Sequence, residues 1–181
     1  MRVGSRLPAR SRSVSSRILQ KTMGRGAGEA LSACLGCTTG WSGGVKTEEI
    51  TILVRYRVEQ ADTALADAEY LLAGERSPQG VINRAYYAMF YAVLALLQRI
   101  GRVPNKHTGA ISLFDTEFVL KGIFPKDLSQ DIHKAFRMRQ TFDYRSAVSA
   151  TREDACALLD KARRFVSIVK RHLIAERVIT G

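Results

Sequence analysis

The sequence predicts an all-α chain, an up-and-down bundle of four or five helices. Apolar residues recur at alternating spacings of three and four through most of the chain. Gly, Pro and capping residues break that pattern at regular intervals. No window alternates as a half-buried strand would. Ile50-Thr51-Ile52-Leu53-Val54 is β-branched, but the helical seam runs through it.

The first helix starts near Glu48. Val54, Val58, Ala61, Leu65, Ala68 and Leu72 form its seam, and Gly74 is the expected terminator. Ser77-Pro78 supplies an N-cap and a first-turn proline for the second helix, which runs to Ile100. Its seam is Ile82, Tyr86, Met89, Val93, Leu97 and Ile100, and its other faces are also largely apolar, which predicts burial among several neighbours or at a subunit interface. Gly101 and Pro104 end it. A third helix spans His107 to Lys121, with Ile111, Phe114 and Phe118 inward and Gly122 and Pro125 closing it. A fourth runs from Lys126 to Asp143 on a seam of Leu128, Ile132, Ala135, Phe136 and Phe142. The fifth starts at Thr151, whose spacing to Asp154 fits a capping box, and carries Ala155, Leu159, Ala162, Val166, Val169 and Leu173.

The chain has 181 residues and a formal charge of +11, with 46% hydrophobic and 25% charged residues. These proportions suit a globular domain and exclude a disordered or collagenous chain. No apolar run reaches the roughly 18 residues of a membrane span, so no membrane partner is expected. The charge is concentrated: residues 1–46 hold eight basic side chains against Glu29 alone. Residues 47–181 are only mildly basic. Residues 1–45 are Ser-, Gly- and Arg-rich without apolar periodicity, which fits a disordered basic arm, an organelle leader or a translation start near Val45. The late start is favoured, and the folded domain is placed at 46–177. Three cysteines form no closed disulfide framework, so a cytoplasmic location is the expectation. Cys34-Leu35-Gly36-Cys37 is half a zinc site with no second ligand pair, so neither metal nor cofactor is expected.

Some polar side chains fall where a core should be. On a helical wheel centred on Ile132, Arg139 and Asp143 each lie about 20° from the seam centre, whereas Arg137 lies about 140° away. A guanidinium on that face is either a register-fixing partner of Asp143 or part of a polar cleft opening where the helix ends. On the second helix, Arg84, Tyr87 and Tyr91 form one stripe, read as a helix–helix contact or as a surface for stacking bases. Lys106 and His107 open the third helix.

Asn83-Arg84-Ala85-Tyr86-Tyr87-Ala88-Met89-Phe90-Tyr91-Ala92, Lys106-His107-Thr108-Gly109 and Arg139-Gln140-Thr141-Phe142-Asp143-Tyr144 together resemble a widespread prokaryotic family of HEPN-domain proteins. The resemblance spans Glu48 to Leu173. It implies a dimeric helical bundle, often paired with a minimal nucleotidyltransferase as one half of a toxin–antitoxin system. Active toxins of the family are metal-independent ribonucleases with an Arg-x(4–6)-His motif. This chain departs from that motif. With Arg137 as the arginine, Phe142 stands at the histidine; with Arg139, Tyr144 stands five residues on. The expectation is therefore a homodimeric binding module that holds nucleotide or RNA phosphate. Its expected binding residues are Arg84, Tyr87, Tyr91, Lys106, His107, Arg137, Arg139, Asp143 and Tyr144. A divergent ribonuclease using Arg139 with Tyr144 or His107 is the alternative, and a structural interaction module the second.

Overall fold

The structure is a computed structural model that describes residues 42–144 and 149–180, with side chains described from Thr47 onward except at 143 and 144. Residues 1–41 of the expected tail, with the Cys34/Cys37 pair, lie outside the described residues. Five α-helices follow in order: α1 (Ser42–Ala73), α2 (Pro78–Arg99), α3 (His107–Phe114), α4 (Lys126–Tyr144) and α5 (Arg152–Ala175). The described residues include no strand.

The seams read from the periodicity form the core. Val54, Val58, Ala61 and Ala68 of α1 are buried, and so are all six seam residues of α5. On α2 burial covers nearly every face, from Val81 to Leu97. The helix packs against α1, α3, α4 and α5. The chain itself therefore covers the apolar surface of α2, and that surface gives no separate reason for a second copy. By length and composition α2 could also cross a membrane, but 67% of its most apolar stretch is buried inside the bundle. A central core helix has the same composition for that reason.

Local chemistry sets the ends. The Ser77 side chain accepts from the Gly80 N–H, and Thr151 and Asp154 cap α5 reciprocally. Gly101 and Gly122 adopt positive φ and close their segments with paired bonds back to the preceding turn. At the end of α1 the left-handed residue is Glu75 (φ 51°) rather than Gly74. The Arg76 N–H bonds to the Leu71 carbonyl and the Glu75 N–H to the Leu72 carbonyl, so the turn falls one residue later than glycine alone suggests.

Two further boundaries differ from expectation. Helix α1 begins at Ser42, ahead of the tail boundary at 45, because adding a residue to an existing helix costs far less than starting one. The third helix does not run unbroken to Lys121. After Phe114 the chain widens into a π turn over Asp115–Val119. That extra room brings Phe114, Phe118 and Phe124 into one aromatic cluster, with ring centroids 5.9–6.1 Å apart.

Candidate functional site

Where α2, α3 and α4 meet, polar groups enter an otherwise apolar wall. Tyr86, fully buried in the middle of the α2 seam, is bonded through its hydroxyl to Nδ1 of His107 at 2.8 Å. The imidazole stacks on Phe90, with centroids 4.2 Å apart and planes 11° from parallel. Phe136 of α4 also packs on Tyr86, with ring centroids 5.8 Å apart. The first residue of α3 is thus fixed by α2, across 21 positions of sequence.

Arg139 reaches the same corner from α4. Its guanidinium carbon lies 5.7 Å from the Tyr86 ring centroid and 5.4 Å from that of Tyr87. The half-buried guanidinium thus has two aromatic faces beside it, an arrangement that favours a cation. The helical wheel's inward placement of Arg139 agrees with this position.

The corner tunes its own titration. Burial pushes the Tyr86 phenol well above its ordinary value, the nearby Arg139 charge opposing and Tyr87 adding to the rise. Burial, and then the Arg139 charge, lower His107 below the usual imidazole value. At neutral pH the tyrosine is therefore protonated and the histidine uncharged. When Nδ1 accepts from the tyrosine hydroxyl, the imidazole proton sits on Nε2; in the other tautomer Nδ1–H donates to the phenol oxygen and Nε2 is a free base.

The expected residues distribute unevenly. His107, Arg139 and Tyr87 come together. Tyr91 touches Tyr87, with centroids 5.9 Å apart, but also faces α1. Arg84 turns to α1 and pairs with Asp67 at 3.7 Å. Lys106 and Arg137 are exposed, and Arg137 lies on the outer side of α4 with Lys134, Met138, Thr141 and Phe142. Asp143 and Tyr144 belong to the last turn of α4, and their side chains lie outside the described ones. The Phe142 carbonyl in that turn accepts from Gln79 Nε2 at 2.7 Å, which ties the end of α4 to the start of α2. Periodicity assigns Tyr86 to the core and gives no sign of its second role. The only available signal is a tyrosine at a seam centre, where a hydroxyl needs a partner. Among the described residues no three His, Cys, Asp or Glu side chains converge as a metal site would require.

Comparison with known proteins gives a match to the HEPN domain over residues 54–172. "Putative toxin MJ0142" of Methanocaldococcus jannaschii is 34% identical over 124 residues, covering 68% of this chain and 84% of its own. A "UPF0332 protein" of Thermotoga maritima is 34% identical over 119 residues, 66% of this chain and 89% of its own. "Putative toxin MJ0605", also of M. jannaschii, is 32% identical over 126 residues, 70% and 90% of the two chains.

Proposed function

The chain belongs to the HEPN-domain family, and on that premise we propose that it is a toxin-type module that binds the phosphate of RNA or a nucleotide at the Arg139 corner, in partnership with a minimal nucleotidyltransferase. The observation that carries this reading is the Arg139 guanidinium held over Tyr86 and Tyr87 beside an uncharged His107. A phosphate there meets a fixed cation in a partly desolvated setting, with aromatic faces beside it for a base or ribose. The toxin-type role rests on the family and on relatives whose names call them toxins. Fluorescence anisotropy with labelled single-stranded RNA, and calorimetry with AMP, test the site. Arg139→Ala is expected to lose at least tenfold in affinity for whichever ligand binds, while the variant keeps its helical circular dichroism. Unchanged affinity would sink the reading.

Self-association is part of the proposal. Its carrier is not α2 but the exposed Ile52, Leu53 and Tyr56 of α1, at 64%, 44% and 52% exposure. A monomer by light scattering at micromolar concentration would remove it.

A second reading is favoured by one specific contact, the Tyr86–His107 bond beside Arg139. It supplies, from another helix, the imidazole that Phe142 displaces from the motif. With Nδ1–H donated to Tyr86, Nε2 could take the proton of a ribose 2′-hydroxyl while Arg139 steadies charge on the phosphate. RNA cleavage in EDTA that both His107→Gln and Arg139→Ala abolish would promote this reading above the binding module.

A further inference from the structure

We propose that the groove between α1 and α2 is a nucleobase subsite that continues from the Arg139 corner and selects bases carrying an exocyclic amine. The inference rests on the reading of that corner as a phosphate site, and adds which strand it takes: single-stranded RNA with an amine-bearing base, rather than uracil, beside the bound phosphate.

The path between the two places is made of rings. Arg139 lies on Tyr87, and Tyr87 lies 5.9 Å from Tyr91. Tyr91 in turn lines the groove together with Tyr56, Glu59, Gln60, Thr63, Asp67 and Arg84, around an open recess of about 280 Å³. Two tyrosines of different helices thus flank a recess that begins two ring contacts from the guanidinium. Stacking on such rings is tolerant of sequence.

The polar lining supplies the discrimination. Glu59 and Asp67 are exposed carboxylates, which accept hydrogen bonds and donate none. They suit the exocyclic amine of cytosine, adenine or guanine and oppose the carbonyl oxygens of uracil, which has no such amine. They also disfavour a second phosphate here, so the recess fits the base rather than the backbone.

The walls are held in place before any ligand arrives. Arg57 donates to Gln60 Oε1 at 2.8 Å, Gln60 Nε2 donates to the Tyr56 hydroxyl at 3.2 Å, and the Arg57 guanidinium lies 5.9 Å from the Tyr56 ring centroid. Arg84 restrains Asp67 from the opposite helix. Preorganised walls reduce the ordering cost of binding.

The test is anisotropy on the full chain with labelled eight-residue oligomers of A, C and U. Binding of the A and C oligomers about tenfold tighter than U is expected, the scale of one good base contact. Glu59→Gln combined with Asp67→Asn should erase that preference and leave the melting temperature in place, since both side chains are exposed. Tyr91→Leu should weaken all three oligomers. Binding without base preference, or a preference that survives the double variant, overturns the groove while leaving the Arg139 site standing. Failure of the wild-type protein to bind any of the RNAs overturns the groove, and failure to bind AMP in calorimetry as well overturns the Arg139 site with it. A Tyr56→Leu variant that changes only the oligomeric state, with base preference intact, marks the groove as a contact between copies and also overturns it.

Discussion

Along α4, Asp127 and Asp131 in the first two turns are met by cations of α5, whereas Lys134 and Arg137 further along meet no carboxylate among the described residues. Asp131 is buried and bonds Lys161, with Arg164 3.9 Å away. Asp127 bonds Arg164, which holds its carboxyl below the usual range. Beyond them Arg139 rests on aromatic rings. The first two turns of the helix use charge to fix α4 against α5. Lys134 and Arg137 form no comparable tie among the described residues. The macrodipole does not account for them, since its effect fades within the last turn. The helix therefore divides into a structural end and an end whose charge faces outward or into the Tyr86 corner.

The largest expected effect falls on the structural end. Asp131→Ala removes a buried acceptor and strands Lys161, whose side chain is 39% exposed and can partly rehydrate. A loss of roughly 2–3 kcal/mol is expected, below the full cost of breaking a wholly buried pair. Urea denaturation measures it. A neutral result would erase the distinction between the Asp127–Asp131 stretch and the cations that follow it, because the acid–base contacts with α5 would then contribute nothing to the fold either.

A smaller effect is expected at the Tyr86 corner. Tyr86→Phe keeps the ring but leaves His107 Nδ1 without its partner, at a cost of about 1–2 kcal/mol. The pH dependence has a definite sign. The folded-state value of His107 lies below that of the unfolded chain, so on acidification the unfolded state takes up the proton first. Its contribution is complete above the usual imidazole range, about 6.5, and is lost as pH falls toward the lowered value. Between pH 7.5 and 5.5 the wild-type melting temperature should therefore drop more than that of His107→Gln. Equal slopes would show that the imidazole is not held neutral by this corner.

Sequence pattern carried the fold because the relevant forces are local or periodic. The Thr151–Asp154 capping box, the Ser77 cap and the α5 seam each follow from spacings of three and four residues. The inward position of Arg139 followed from the same arithmetic. Tyr86–His107 did not, because the two residues are 21 positions apart and only the packing of α3 on α2 joins them. The burial of Asp131 was equally illegible: it sits one residue from Ile132, a step of about 100° from the seam centre, and only α5 decides that this flank is covered. The stripe of Arg84, Tyr87 and Tyr91 was visible on the wheel, but periodicity could not show that it divides between the Arg139 corner and the α1 groove.

The smallest expected effect sharpens the contrast most, because it is a predicted absence of change on the same helix. Lys134 and Arg137 are exposed and line a shallow outer face with Met138, Thr141 and Phe142. Replacing both with alanine removes two positive charges but no ion pair among the described residues, and alanine is the better helix former. Stability should stay within about 0.5 kcal/mol of wild type by urea denaturation, as for surface positions without a structural partner. The same measurement on Asp131→Ala supplies the internal standard. A loss of 2 kcal/mol or more in the double variant would mean that these cations are tied into the fold after all, and the division of α4 into a structural and an outward-facing end would fail. A near-zero change beside a large Asp131 effect would leave the outer cations without a role in holding the bundle together, and RNA affinity measured on the same double variant would then report on binding alone.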